Sequence, residues 1–465
     1  MIKIGGQKVP AKTLLLALSD GFLIVLGLLA AILIRFSSLR PASAYLHRPE
    51  TPGRVTLVVV VCIVAIYYND LYNSQVISRR SELSMRLLQA LGFACLSLAV
   101  TYYLNPDLGL GRGIAVIAAP MILCFTLGSR LLVDSFGLLT RPSQRVLIVG
   151  TGTLGIALAR EIVSRPELGL RVIGFLDEQG QNIGKSLVNP KVIGATSDVE
   201  AIVESERVER VVLSLAERRG HTPVRQLLHL KFAGVPVEDA HSFYERISGR
   251  ILLDSLSPSW LFLSEGFNKS PVVVLVKRAF DLILSCVAIL LTFPIMILIA
   301  LAVWVESGTP VLFRQTRIGL RGRPFQILKF RSMHQNAEDE GPRWAAEGDH
   351  RITRVGRFIR GYRLDELPQM FNVWRGDMSL VGPRPEQPQF CTTLEREIPF
   401  FAQRHSVRPG ITGWAQVKFQ YGASIEEARA KLEYDLFYIK HMSSLLDLAI
   451  LFETAKVVLW GRGAK

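Results

Sequence analysis

Residues 281 to 304 read Asp281-Leu-Ile-Leu-Ser-Cys-Val-Ala-Ile-Leu-Leu-Thr-Phe-Pro294-Ile-Met-Ile-Leu-Ile-Ala-Leu-Ala-Val-Trp304. As a straight helix this run reaches about 36 Å, enough to cross the hydrocarbon of a bilayer. Pro294 stands in its middle, where a missing N–H and a ring clash kink a helix. Both flanks are basic, with Lys277 and Arg278 before and Arg314, Arg317, Arg321 and Arg323 after. Basic flanks favour the cytoplasmic side, so both ends belong on one face. The run predicts a re-entrant helix over 279–305, broken at Pro294, that dips into one leaflet.

Upstream, apolar segments at 13–34, 55–68, 84–104 and 113–133 predict four transmembrane helices within residues 1–140. Three approach the ~20 residues that a crossing needs; the second is short unless it extends through Tyr72. Lys3, Lys8 and Lys12, with Ala42-Ser43-Ala44 after the first run, resemble a signal peptide. The run is too long for one and more spans follow, so a retained anchor is expected. With the N-terminus inside, Arg79, Arg80, Arg86, Arg141 and Arg145 are cytoplasmic, whereas Arg35, Arg40, Arg48 and Arg54 fall outside, so orientation is weakly marked. Asp20, inside the first span, is costly in lipid and is expected to meet another helix.

Residues 141–262 change pattern. Arg145–Val149 reads as a strand, Gly150-Thr-Gly152-Thr-Leu-Gly155 opens a helix, and a second strand near 171–176 ends at Asp177. Further strands fit 191–193, 208–214 and 235–237 with helices between, which predicts a doubly wound, parallel, Rossmann-like sheet. Gly150, Gly152 and Gly155 have dinucleotide spacing, and Asp177 stands where a ribose-binding acid belongs. The motif reports a binding shape rather than a reaction, and no tyrosine is followed four residues later by lysine as a short-chain reductase requires. Nucleotide binding and a structural or regulatory relic both remain open.

The formal net charge is +14, and 49% of residues are hydrophobic. A basic balance beside apolar spans suits anionic lipid and phosphorylated substrates, together with the ordinary positive-inside bias. No zinc-finger spacing or RNA-binding aromatic signature is present, so nucleic acid is not expected as a partner. Cys62, Cys95, Cys124, Cys286 and Cys391 form no CxxC pair and read as small apolar residues.

Residues 272–465 carry the chemistry. Arg351, Arg354, Arg357, Arg360 and Arg363 recur every third residue, a curved basic band if helical. Arg360 and Arg363 adjoin two acids, Asp365 and Glu366, and suit bidentate phosphate contact. On a helix the acids point about 100° apart, so they divide roles, and nearby arginines are expected to keep both ionised. Pro383-Arg384-Pro385 presents one arginine with little backbone freedom. Arg408-Pro-Gly-Ile-Thr-Gly-Trp414 is a turn-rich element that either holds a nucleotide or is structural. An apolar, surface-lying helix from about Ser443 to Trp460 closes the chain.

Lys329-Phe-Arg-Ser-Met333, Leu364-Asp-Glu-Leu-Pro-Gln369, Ser379-Leu-Val-Gly-Pro-Arg-Pro385 and Arg408–Trp414 resemble the bacterial monotopic phosphoglycosyl transferases. The front of the chain resembles the large polyprenyl glycosylphosphotransferase subclass, and Tyr434–Tyr438 through Gly461-Arg-Gly463 is similar to members of exopolysaccharide clusters. Phe293 stands before Pro294 where the family often has serine. The resemblance implies an α+β catalytic domain over 272–465. It also implies transfer of a sugar-1-phosphate from a UDP-sugar to undecaprenyl phosphate, releasing UMP and starting exopolysaccharide repeat synthesis. Asp365 is then the nucleophile that carries the phosphosugar and a ligand of Mg²⁺. Glu366 assists the acceptor or the metal, and Arg331, Arg360, Arg363, Arg384 and Arg408 seat phosphate. The implied location is the bacterial cytoplasmic (inner) membrane with the catalytic domain facing the cytoplasm. Expected partners are the lipid bilayer, other polysaccharide assembly proteins and a second copy of the chain (a homodimer). Two rivals stand beside this reading: a nucleotide-dependent membrane oxidoreductase or dehydratase using Gly150–Gly155, and a non-catalytic scaffold of polysaccharide assembly.

Overall fold

The computed structural model describes residues 2–4, 7–9, 11–69, 71–72, 80–135, 143–215, 223–256, 258–334, 351–419 and 424–459. Trp460 and the Gly461-Arg-Gly463 ending lie outside them.

The N-terminal apolar segments form α1 (Ala11–Phe36), α3 (Thr51–Tyr68), α4 (Arg80–Leu104) and α5 (Arg112–Ser135). All four are long and apolar enough to cross a membrane. The second of these segments begins at Thr51 and stops at Tyr68, so it gains length at its start and not through Tyr72. A short helix, α2 (Leu39–Leu46), contains the Ala42–Ala44 triplet. Ile24, Leu28, Ile32, Ile66, Leu87 and Ile122 share one buried core among these helices. Asp20 does meet another helix: its carboxylate accepts from Arg130 Nη2 of α5 at 2.6 Å, with both side chains about 1% exposed. Pairing removes much of the cost of burying either charge alone.

The next region is a five-stranded sheet of β1 (Gln144–Val149), β2 (Leu170–Asp177), β3 (Val192–Ala195), β4 (Arg210–Leu213) and β5 (Val237–Asp239). All pairings are parallel, in the order β3-β2-β1-β4-β5. β1 is therefore central, and its Val146, Leu147, Ile148 and Val149 are wholly buried because α6 (Thr153–Ser164) and α9 (Ala240–Ser248) cover one face and α7 (Val199–Ser205) and α8 (Val224–Phe232) the other. Gly150 follows at φ +111°, where a Cβ would stand 2.5 Å from the Ser214 carbonyl oxygen. Only glycine fits that approach.

The predicted re-entrant segment lies in one helix, α10, running from Pro271 to Ser307. It begins eight residues before the expected 279 because Ser270 caps it, accepting from Val273 N, with proline at its first position. The helix runs through Pro294 without an interruption, a correction to the expected break. A proline inside a helix removes one backbone bond, which bends a helix without ending it.

The remainder is built from a hairpin and short helices. Strands β6 (Leu312–Ile318) and β7 (Pro324–Phe330) pair antiparallel. Helix α11 (Arg354–Gly361), a 3₁₀ turn (Leu364–Glu366) and α12 (Gln369–Arg375) follow. Strands β8 (Ser379–Val381) and β9 (Gly410–Thr412) form a parallel pair, and α14 (Ile425–His441) and α15 (Ser444–Leu459) close the described chain, after α13 (Pro388–Glu397). Val373, Leu380, Val381, Phe401, Leu436 and Phe437 share the core of this region. Tyr68 of α3 stacks on Phe452 of α15 with ring centroids 5.3 Å apart, which docks the N-terminal helices on the C-terminal end.

Candidate active site

The arginine series is not one helix. Arg354, Arg357 and Arg360 lie on α11; Arg351 precedes it, and Arg363 follows in the left-handed region at φ +54°. Two caps start α11. Thr353 Oγ1 accepts from Gly356 N at 2.9 Å, and the Glu306 carboxylate, from the end of α10, accepts from Arg354 N and Val355 N at 2.8 and 2.9 Å. The acidic turn is thereby tied to the last residues of the apolar helix. The apolar side of the tie is a cluster of Met296, Ile299 and Val303 with Phe330 and Ile359, flanked by Leu364, Leu367 and Phe371.

The positive φ at Arg363 reverses the chain into the 3₁₀ turn that carries Asp365 and Glu366, which are 8% and 9% exposed. On such a turn neighbours diverge by about 120°, slightly more than on the α-helix expected here. Their surroundings differ. Glu366 Oε1 accepts from Lys329 Nζ at 2.8 Å and Arg384 Nη2 at 3.2 Å, and Oε2 lies 3.9 Å from Arg363 Nη1. Burial alone would push its carboxyl up, but Lys329, Arg384 and Arg363 outweigh burial and hold it far below the usual range.

Asp365 goes the other way. Burial pushes its carboxyl up; Lys329 pulls it back, Glu366 repels it, and Arg360 and Arg384 do not restore the usual value. On balance the cations thus lower the Glu366 carboxyl and not that of Asp365. Among the described residues the Asp365 carboxylate takes no hydrogen bond or ion pair. One acid is clamped by cations, and its neighbour keeps its oxygens available, the division needed between an anchoring group and a nucleophile.

Lys329 is the cation that sequence reasoning did not assign to the site, although it is the one charge in Phe325-Gln-Ile-Leu-Lys-Phe330. Asn372, wholly buried on α12, holds that strand in place: its Oδ1 accepts from Leu328 N at 3.0 Å and its Nδ2 donates to Gln326 O at 2.7 Å. Two main-chain groups of β7 are thus satisfied by one side chain, so Lys329 faces Glu366 in fixed register.

A family model described as "Bacterial sugar transferase" matches residues 272–461, and one described as "CoA-binding domain" matches residues 67–235. The chain is 43% identical over 329 residues to the UDP-glucose:undecaprenyl-phosphate glucose-1-phosphate transferase of Escherichia coli (strain K12), covering 67% of each chain. This chain is a bacterial polyprenyl glycosylphosphotransferase by family. It is also 45% identical over 241 residues to the UDP-N-acetylgalactosamine-undecaprenyl-phosphate N-acetylgalactosaminephosphotransferase of Aeromonas hydrophila, covering 52% of this chain and 56% of the relative. With the undecaprenyl-phosphate glucose phosphotransferase of Komagataeibacter xylinus it shares 33% identity over 340 residues, 70% of this chain and 60% of that one. The chain therefore spans little more than half the length of the first two relatives.

In this glycosylphosphotransferase the other two expected phosphate ligands each give one donor to a main-chain carbonyl. Arg331 is buried and donates through Nη1 to Ser307 O at 3.1 Å, closing the end of α10. Arg408 donates through Nε to Gly376 O at 3.0 Å, beyond the far end of α12. Its motif is a backing for the proline turn: β9 pairs with β8, and a Cβ on Gly410 would stand 2.0 Å from Gly382 N. Trp414 is buried and donates to Gly249 O at 2.8 Å.

The glycine-rich turn of the glycosylphosphotransferase is internally occupied. Asp177 accepts from Thr151 Oγ1 at 3.1 Å, and from Asn182 N at 3.3 Å and Nδ2 at 3.1 Å. Burial would raise this carboxyl, but the Asn182 and Thr151 hydrogen bonds prevail and hold it low.

No group of three or more His, Cys, Asp or Glu with metal-binding geometry occurs among the described residues. Mg²⁺ fits differently: it is commonly held by one or two carboxylates with the rest of its shell from substrate phosphate and water. The open Asp365 carboxylate suits that arrangement, and Glu366, taken by three cations, does not.

Proposed function

We propose that the chain transfers a sugar-1-phosphate from a UDP-sugar to undecaprenyl phosphate, releasing UMP, by way of a phosphosugar carried on Asp365. An Asp365 oxygen attacks the sugar-linked phosphorus, and the bond from that phosphorus to the bridging oxygen breaks as UMP leaves. The undecaprenyl phosphate oxygen then attacks the same phosphorus and frees the carboxylate, giving the lipid-linked diphosphosugar. Arg384, Arg360 and Lys329 cancel charge where phosphate enters, and Glu366 holds Lys329 and Arg384 in place. Mg²⁺, when bound at Asp365, would neutralise diphosphate charge. The observation that carries this reading is the open Asp365 carboxylate beside a cation-clamped Glu366, tied to the end of an apolar helix.

A one-leaflet dip of α10 is supported by what its two ends touch. Near its start Arg278 Nη1 donates to Val373 O at 2.6 Å, Lys277 Nζ lies 2.7 Å from Asp447 Oδ2, and Leu380 N donates to Asp281. At its end Glu306 caps α11 and Ser307 O accepts from Arg331. One polar domain holds both ends, whereas a crossing would put about 30 Å of hydrocarbon between them. Crossing by α1, α3, α4 and α5 leaves the catalytic domain on the side of the N-terminus, which we place at the cytoplasmic face of the bacterial inner membrane. The β3-β2-β1-β4-β5 order and its glycine turn have the Rossmann shape, and the proposed reaction assigns that domain no step.

UMP release by the full chain with undecaprenyl phosphate and Mg²⁺, across UDP-glucose, UDP-galactose and UDP-N-acetylgalactosamine, tests the reading. UMP formed with at least one donor, over many turnovers with acceptor and no more than once per enzyme without it, is expected; no UMP from any of them would refute it.

A further inference from the structure

Arg384 reaches Glu366 from a turn whose two prolines fix φ at 383 and 385 only. The direction of each carbonyl, and with it the path of the turn, also depends on ψ. Two further arginines hold those carbonyls. Arg404 Nη2 donates to Arg384 O at 2.9 Å, and Arg317 Nη1 donates to Pro385 O at 3.2 Å. Ile318 N then donates to Glu386 O at 2.9 Å. Three successive carbonyls are thus fixed, one by α14's partner arginine and two from the end of β6.

Arg404 is itself immobilised. It is 6% exposed, and its Nη2 also donates to Asp435 Oδ2 of α14 at 2.9 Å. Its Nη1 lies 3.8 Å from Glu386 Oε1, and its guanidinium covers the Phe401 ring at 4.9 Å. Asp435 is 2% exposed. A buried pair of this kind is a poor source of net stability, since apolar replacements of similar volume often do as well. Its position against the turn's backbone gives it a geometric task instead.

We infer that Arg404, held by Asp435 and assisted by Arg317, is a positioning residue that fixes ψ across Arg384-Pro385 and so aims the Arg384 guanidinium at Glu366 and the incoming phosphate. The inference rests on the transferase reading above. The prolines restrict one torsion and the buried arginines the other, so Arg384 meets the phosphate without having to be ordered first. Neither Arg404 nor Asp435 touches the acids; both act through the turn.

The test uses the full chain in phospholipid nanodiscs with undecaprenyl phosphate, Mg²⁺ and whichever UDP-sugar releases UMP. If wild-type protein releases none from any donor, the functional reading falls and the inference with it. With an active donor, Asp435→Asn and Arg404→Lys are expected to lower kcat about 10- to 100-fold, the loss a displaced group of this kind produces. KM for the donor should change far less. In an Arg384→Lys background, where the guanidinium fork is gone, the same substitutions should cost only a small further factor. Full multiplication of the two losses, or wild-type kcat in folded Asp435→Asn, would overturn the inference. Arg317→Gln, at a less buried strand position, decides the matter if the buried variants do not fold: a reduced kcat that vanishes as an effect in Arg384→Lys supports it, and an unchanged kcat refutes it.

Discussion

Lys329 Nζ lies 2.8 Å from Glu366 Oε1, which joins the second strand of the hairpin to the acidic turn. The contact is charge-assisted and only partly open to solvent, so it is worth more than a surface pair. It also sets the electrostatics of both acids, because Lys329 is the largest favourable influence on each.

Lys329→Met removes that cation and leaves Glu366 with Arg384 and Arg363. Loss of a hydrogen bond to a charged group costs about 1.5–3 kcal/mol, roughly 10- to 100-fold if expressed wholly in the rate. We expect UMP release to fall by that range, with Lys329→Arg recovering part of it. Unchanged turnover in Lys329→Met would remove this lysine from the site.

The dip of α10 predicts that single cysteines at Leu275 and Leu320, in a background with Cys62, Cys95, Cys124, Cys286 and Cys391 replaced, react with an impermeant thiol reagent from the same side of the membrane. Labelling from opposite sides would mean that the helix crosses, and that one polar domain does not hold both of its ends.

Asp435 gives a pH dependence of known sign. Burial pushes its carboxyl up to about 6 despite Arg404. Its folded value exceeds the unfolded one, so its contribution to stability is full below the unfolded value and is lost as pH rises through about 6. Wild-type protein should therefore gain on Asp435→Asn when pH is lowered from 7.5 to 5. Thermal unfolding of both at the two pH values checks this; a difference in Tm that does not change with pH, or changes in the opposite sense, would contradict it.

Periodicity made much of this legible. Val146–Val149 and Val172–Leu176 are apolar runs beside turn residues, and they form two of the three inner strands at nearly the expected bounds. The four N-terminal apolar runs became long apolar helices. The start of α10 was also written locally, as Ser270-Pro271, but a basic pair at Lys277 and Arg278 drew the boundary later. What periodicity does not carry is which cation meets which anion. The resemblance implied that Arg331 and Arg408 seat phosphate; the fold adds that one donor of each goes to a carbonyl, Ser307 O and Gly376 O, which no motif announces. Lys329 and Asn372 were missed because their roles depend on the contact between β7 and α12, more than forty residues apart in Asn372 with Leu328. The raised Asp365 carboxyl likewise follows from burial, which adjacency to arginines conceals.

The central claim is that one Asp365 oxygen transiently carries the hexosyl phosphate. The most direct measurement is to incubate wild-type protein and Asp365→Asn with radiolabelled UDP-sugar and Mg²⁺ in the absence of acceptor, quench, and map labelled peptides. The account predicts stoichiometric UMP and a label on the peptide bearing Asp365 in wild-type protein, chased off by undecaprenyl phosphate, and neither UMP nor label in Asp365→Asn. Sustained turnover with no label on that peptide, or full activity in Asp365→Asn, would contradict it.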